Sequence, residues 1–237
     1  MLAMITGASR GIGFETAKYL ACESDLEIIA LSRNKRGLDD LAASCKGERI
    51  SSRVHPIVFD LEQFLVNPES IRAVLPKDIN HVDILINNAG YLVNKPFDRL
   101  DLSDLERMFR VNVFAPALLI RELLPVLGKK GTSHVINIAS MGGYQGSIKF
   151  PGLSYYSSSK AALACLTECL SQEFNETDVV FNCLALGSVQ TEMFEEAFPG
   201  VRAGLTTSKM AEFIGDFALT GHLYFKGKII PVSASTP

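Results

Sequence analysis

Seven short apolar runs punctuate the chain: LAMIT (2–6), LEIIALS (26–32), PIVF (56–59), VDILIN (82–87), HVINIA (134–139), VVFNCLAL (179–186) and KIIPV (228–232). They are rich in β-branched residues, are bounded by Gly, Asn, Asp or Ser, and lack the alternation of a strand with one wet face. Such runs read as strands buried on both faces. The longer stretches between them, FETAKYLACES and LSDLERMFRVNVFAPALLIRELLPVL among them, carry helical periodicity. This alternation predicts an α/β fold, a doubly wound parallel sheet of seven strands with helices on both faces, in three layers. No repeat, low-complexity tract or linker divides the 237 residues, so residues 1–237 are expected to form a single domain. Ligands of such sheets bind beyond the carboxyl ends of the strands, which makes the residues just after each run the first candidates for chemistry.

The first run leads into TGASRGIG. A strand, a glycine turn and a helix bring unpaired backbone N–H groups and the positive end of a helix dipole to one point, a phosphate site. Gly7 permits the tight turn, Gly11 lets a pyrophosphate approach the backbone, and Gly13 lets helix pack on strand. The spacing is G-x-x-x-G-x-G, not the usual G-x-G-x-x-G. The second run ends Leu31-Ser32-Arg33, with Ser32 where a ribose-binding acid would stand. With Arg10 inside the glycine turn, two guanidiniums and a hydroxyl suit a phosphate monoester and favour NADP(H) over NAD(H). A solvated basic loop of Arg33, Lys35 and Arg36 is the plainer alternative.

A further candidate is YYSSSK, residues 155–160. On a helix Lys160 lies one turn from Tyr156, while Tyr155 is rotated about 100° away. An ammonium there is expected to lower the phenol from its usual pKa of about 10 and make Tyr156 a proton donor near neutral pH. A polar first helical turn is the alternative.

Composition narrows the field. A hydrophobic fraction of 47% with 21% charged residues is that of an ordinary soluble globular protein, and a net charge of −3 argues against nucleic acid or an anionic membrane as partner. The N-terminal MLAMITGASRG reads as neither signal peptide nor membrane span. Five cysteines, an odd number with no secretory leader, point to a reducing, cytoplasmic setting. They show no metal-site spacing, and Cys165 and Cys169 are expected in the core. The four histidines lie outside every motif, and neither Ser158 nor Ser159 has a histidine base nearby in sequence, which weakens a hydrolase reading.

TGASRGIG, NNAG at 87–90, Ser140 and Tyr156-x-x-x-Lys160, in this order, resemble the single-domain short-chain dehydrogenase/reductase family, in particular its 3-oxoacyl reductases. The resemblance runs from residue 2 to about residue 193 and continues faintly through the last strand. It implies a Rossmann-type sheet and hydride transfer between a nicotinamide and a carbonyl or secondary alcohol. It also implies a catalytic group of Asn112, Ser140, Tyr156 and Lys160. Tyr156 would protonate the substrate oxygen, Lys160 would lower its pKa and hold the nicotinamide ribose, and Ser140 would orient the carbonyl. Asn112 would hold a water linking Lys160 to solvent. Taken alone, Asn112 reads equally as a helix residue satisfying backbone groups and Ser140 as a strand-end turn residue. The implied cofactor contacts begin with Gly7, Ser9, Arg10, Gly11, Ile12 and Gly13 in the first turn, and Ser32 and Arg33 after the second strand. They continue with Asp60, Leu61, Asn88, Ala89 and Gly90, and end with Gly187, Val189 and Thr191 beside Tyr156 and Lys160. Asp60 could equally cap a helix.

Three departures from the family pattern carry expectations of their own. Leu186 replaces the proline usual before Gly187, predicting a functional but more mobile cofactor loop. Ser140 and Tyr156 stand sixteen apart, about three more than usual, and the glycine-rich MGGYQGSIKFPGLS should absorb the excess at the pocket mouth. The ending KIIPVSASTP lacks the usual Asp-Gly-Gly, which bears on subunit contacts. Residues 191–210 are expected to form a short substrate lid in which Met193, Phe194 and Phe198 could cover an apolar ligand, or else a surface helix with a buried stripe. The substrate expected is a small carbonyl or alcohol, including 3-oxoacyl thioesters, with Lys149 and Arg202 as the cations available to an acyl carrier protein. The resemblance implies a homodimer or homotetramer pairing through the helices of Asn112 and Tyr156. An NADP(H)-binding sensor or scaffold without turnover is the alternative function, with isomerisation or dehydration a third.

Overall fold

The structure, a computed structural model, describes residues 1–46, 53–77 and 79–234. Six of the principal strands are β1 (Leu2–Thr6), β2 (Glu27–Ser32), β3 (Val54–Val58), β4 (Ile84–Asn87), β5 (Ser133–Ser140) and β6 (Val179–Leu186). A short pair, β7 (Val189–Gln190) and β8 (Leu205–Thr206), precedes the last strand, β9 (Ile229–Val232). All seven predicted runs are strands of one parallel sheet, ordered β3-β2-β1-β4-β5-β6-β9. This is the doubly wound order with a seventh strand added, and its crevice lies where the order reverses between β1 and β4. The run at 82–87 forms its ladder only from Ile84, with Val82 making an isolated bridge to Leu127. Pro56 and Pro231 both lie in edge strands, where a missing N–H is tolerated.

Among the described residues the helices are α1 (Gly11–Glu23), α2 (Lys35–Lys46), α3 (Leu61–Phe64), α4 (Ser70–Val74), α5 (Leu102–Phe109), α6 (Ala115–Leu123), α7 (Ser154–Glu173), α8 (Glu192–Ala197) and α9 (Thr207–Thr220). Strand residues alternate between two apolar layers. Ala3, Ile5, Ile28 and Ala30 pack with residues of α1, α2 and α9, whereas Met4, Ile29 and Leu31 pack with residues of α3, α4 and α6. This two-sided burial is why the runs lack a polar register.

The stretch read as one long helix from residue 102 is two helices joined by a π-turn over Arg110–Phe114. The wider turn carries Asn112 into the interior, where it is fully buried. Cys165 and Cys169 are exposed on α7 rather than in the core, because that helix buries Leu163, Ala164 and Thr167 instead. None of the five cysteines forms a disulfide. Among the described residues no helix is long and apolar enough to cross a membrane, and no cluster of three His, Cys, Asp or Glu side chains is arranged to hold a metal. Residues 235–237 of the atypical C-terminal ending lie outside the described residues.

Candidate active site

A cleft of about 1270 Å³ opens at the carboxyl ends of the strands. Every sequence-expected site residue lines it except Gly13 and Asn112, which stand directly behind its wall. Gly7 and Gly11 have φ of 70° and 60°, the left-handed region that favours glycine. A Cβ on Gly13 would lie 2.4 Å from Asn88 Nδ2 and 2.5 Å from the Gly7 carbonyl oxygen, so helix and turn meet only because Gly13 is bare. No side chain caps α1, and its first turn faces the cleft with N–H groups and a positive dipole end. The turn, bare glycines and uncapped helix fit the pyrophosphate of a dinucleotide.

At the end of β2, Ser32 Oγ donates to Ser9 Oγ at 2.7 Å, and no acid stands beside it in the strand. The two cations expected together are apart. Arg33 pairs with Glu62 at 3.0 Å, and Arg10 reaches across to Glu192, the first residue of α8, at 2.6 Å. Sequence reasoning placed neither carboxylate. Asp60 serves as the N-cap of α3, accepting from Glu62 N at 2.8 Å, and also lines the cleft.

The far end of the cleft gathers Ser140, Tyr156 and Lys160. Ser140 ends β5, accepts from Gly142 N at 3.1 Å, and shares a hydrogen bond with the Tyr156 hydroxyl. Tyr156 and Lys160 sit one turn apart on α7, with Lys160 Nζ 6.0 Å from the phenol ring centroid and donating to the Ile138 carbonyl at 2.8 Å. The expected lowering of Tyr156 is not found in this geometry. Burial holds its pKa above the usual value, with the Ser140 hydrogen bond opposing. Burial also pushes the Lys160 pKa down to about 8, only partly offset by the neighbouring Cys183. Tyr155 packs edge-on against Phe97, with ring centroids 5.8 Å apart, and does not line the cleft.

Asn112 fixes the loop after β4. Its Oδ1 accepts from Tyr91 N at 2.8 Å, and its Nδ2 donates to Tyr91 O and Ser159 Oγ, each at 2.9 Å. Gly90 separates it from Lys160: a Cβ there would lie 3.5 Å from Lys160 Nζ and 3.6 Å from Asn112 Oδ1.

The mouth is built from three loops. The insert after β5 brings Ile148 and Phe150 to the cleft, while Lys149 is stitched back to Tyr144 O at 2.5 Å and Ser147 Oγ at 2.7 Å. Of the two cations considered for a carrier protein, Arg202 alone lines the cleft. At 191–198, Thr191 caps α8, and Met193, Phe194 and Phe198 face the cleft, with the two phenylalanine rings 5.1 Å apart. The loop after β4 ties both together: Asn94 Nδ2 donates to Ala197 O at 2.8 Å and Lys95 N to Gly152 O at 3.1 Å. Leu186 is buried at the wall, and the following backbone is anchored by Gly187 N donating to Val232 O at 2.8 Å and by the β7–β8 ladder. Tyr91, Arg107 and Glu62 also line the cleft; no motif marked them, since they meet only through the fold.

The chain matches the short chain dehydrogenase family over residues 1–202. It is 33% identical over 195 residues to the ketoacyl reductase HetN of Nostoc, an alignment covering 80% of this chain and 64% of that protein. Among solved structures it superposes on L-sorbose reductase from Gluconobacter frateurii, complexed with NADPH and L-sorbose, with a TM-score of 0.84 at 24% identity over 99% of this chain and 95% of that one. It likewise superposes on 3-ketoacyl-(acyl-carrier-protein) reductase from Brucella melitensis, complexed with NADH, with a TM-score of 0.82 at 23% identity over 98% of this chain and 96% of that one. Sequence profile, sheet order and cleft agree: the chain belongs to the short chain dehydrogenase family, oxidoreductases with a dinucleotide-binding Rossmann fold.

Proposed function

We propose that this oxidoreductase interconverts a carbonyl compound and its secondary alcohol, prefers NADP(H) to NAD(H), and uses Tyr156 as its general acid and base. The observation that carries the proposal is the meeting of Ser140, Tyr156 and Lys160 at one end of a cleft whose other end is the uncapped start of α1. The dinucleotide supplies or accepts the hydride. In the reducing direction Tyr156 Oη delivers a proton to the carbonyl oxygen, and Ser140 Oγ donates a hydrogen bond that stabilises the growing negative charge there. Lys160 supplies positive charge behind the phenol, and Asn112 holds the Gly90–Tyr91 backbone beside it. A phenol kept above its usual pKa stays protonated between turnovers, which suits a donor.

The NADP(H) preference is supported by Ser32 at the end of β2 and by Arg10, Arg33 and Arg36 on the cleft wall. The substrate class is supported by the apolar mouth of Ile148, Phe150, Met193 and Phe194, which suits a ketone on an apolar frame or a 3-oxoacyl thioester. The similarity to a ketoacyl reductase points the same way. A homodimer or homotetramer in the cytoplasm completes the proposal. Exposed Leu102 and Phe114 along α5 and the π-turn support the assembly, and five cysteines outside disulfides support the compartment. The test is oxidation of NADPH and of NADH by the purified protein against 3-oxoacyl thioesters, diketones, quinones and keto-sugars. Turnover that favours NADPH with an apolar ketone is expected; turnover only with NADH would remove the cofactor preference.

A further inference from the structure

Glu62 is the residue on the cleft wall whose placement the proposed chemistry leaves unexplained. It stands in the first turn of α3, but Asp60 already caps that helix, so no backbone group needs the Glu62 carboxylate. Instead its Oε2 accepts from two guanidiniums, Arg33 Nη1 at 3.0 Å and Arg107 Nη2 at 3.3 Å. Arg33 follows the end of β2. Arg107 comes from α5, stacks on the Tyr91 ring 4.2 Å from its centroid, and reaches the Tyr91 hydroxyl at 3.3 Å. Two separate parts of the chain thus converge on one carboxylate oxygen at the wall of the cleft, and a third, at Tyr91, holds the second of them.

The charges are unequal partners. In NAD-dependent Rossmann folds an acid at the end of the second strand binds the ribose hydroxyls and repels a 2′-phosphate. Here that position is Ser32, and the acid arrives instead from the first turn of α3, already in contact with the cation that a 2′-phosphate would seek. Glu62 therefore competes with a phosphate for Arg33, and Arg107 limits the competition by sharing the carboxylate. Arg107 is itself fixed by its stack on Tyr91, so its hold on Glu62 is a built feature of the wall.

Resting on the NADP(H) reading above, we infer that Glu62 is a specificity-determining residue: its carboxylate, divided between Arg33 and Arg107, sets how strongly the cleft prefers a 2′-phosphorylated dinucleotide. Neutralising Glu62 leaves both guanidiniums to the phosphate. Removing Arg107 returns the whole carboxylate to Arg33. The two changes act on the same preference with opposite sign, and a side chain that merely braced the fold would shift both dinucleotides alike.

The experiment measures dissociation constants of NADPH and NADH from the fluorescence of the bound reduced nicotinamide, for the full chain and for Glu62→Gln and Arg107→Met. The ratio of the NADH to the NADPH constant is expected to rise on the order of fivefold in Glu62→Gln and to fall by a similar factor in Arg107→Met, as suits a partly screened charge contact. Both shifts should shrink at high salt. An unchanged or lowered ratio in Glu62→Gln overturns the inference, since Glu62 would then be inert or would hold Arg33 in place for the phosphate. Equal weakening of both dinucleotides in Arg107→Met overturns it as well. The two readings separate in the unsubstituted protein: a starting ratio below one removes the NADP(H) preference, whereas the direction of the Glu62→Gln shift still decides the role of Glu62.

Discussion

Gly152, in the insert between β5 and α7, is where one methyl group should do most damage at the mouth of the cleft. Its φ of +85° lies in the left-handed region, and a Cβ there would sit 1.9 Å from Asn94 Oδ1. An alanine in that backbone conformation costs about 1–2 kcal/mol. Asn94 must also swing aside and give up its bond to Ala197 O, at a further cost of about 1 kcal/mol. The sum, about 2–3 kcal/mol, corresponds to a fall in Tm of about 4–12 °C for a chain of this size. Thermal unfolding followed by circular dichroism measures it, and steady-state kinetics should show KM rising more than kcat falls, because α8 loses its tie to Asn94 while Tyr156 keeps its place. Asn94→Ala removes the clashing atom, so the double variant should be about 1 kcal/mol more stable than the two single losses predict. A Gly152→Ala protein that melts with the unsubstituted one, or single effects that simply add, would refute the reasoning.

Gly13→Ala should weaken NADPH binding at least tenfold, because its Cβ meets the Gly7 carbonyl and Asn88 where neither can retreat; titration of the bound fluorescence checks it. Burial lowers the pKa of His134 to about 4, below its unfolded value of about 6.5, so the unfolded chain takes the proton first. Stability is therefore whole above pH 6.5 and falls by up to about 3 kcal/mol as pH drops toward 4, with His222 lowered in the same sense. Urea midpoints across that range should fall more steeply than in His134→Asn. Burial lowers the Lys160 pKa to about 8, so Lys160→Arg, charged throughout, should flatten any loss of NADPH affinity between pH 7 and 9.

How far the sequence reached depends on which physical signal each feature leaves. The strands were legible because burial on both faces strips them of polar residues, as Ala3, Met4 and Ile5 illustrate. The glycine turn, Ser140 and Tyr156-x-x-x-Lys160 were legible because their spacing is local. The π-turn was not, since Arg110–Phe114 keeps a helical pattern and only the fold shows Asn112 turned inward. The exposure of Cys165 and Cys169 was hidden because apolar and small residues lie on both sides of α7. Arg10 and Arg33 read as two free cations, because Glu192 and Glu62 join them from 182 and 29 positions away. The direction of the Tyr156 shift was missed for a related reason: spacing shows the nearby ammonium, while desolvation of phenol and lysine together is a property of the closed cleft.

The central claim, that Tyr156 delivers the proton at a site the dinucleotide reaches independently, is tested most directly by Tyr156→Phe. The measurement is NADPH oxidation with the best carbonyl substrate beside NADPH binding by fluorescence, for both proteins. The account predicts a loss of turnover of about 10²–10⁴-fold with the NADPH dissociation constant nearly unchanged. Turnover surviving in the phenylalanine variant at more than a tenth of its original rate would contradict it.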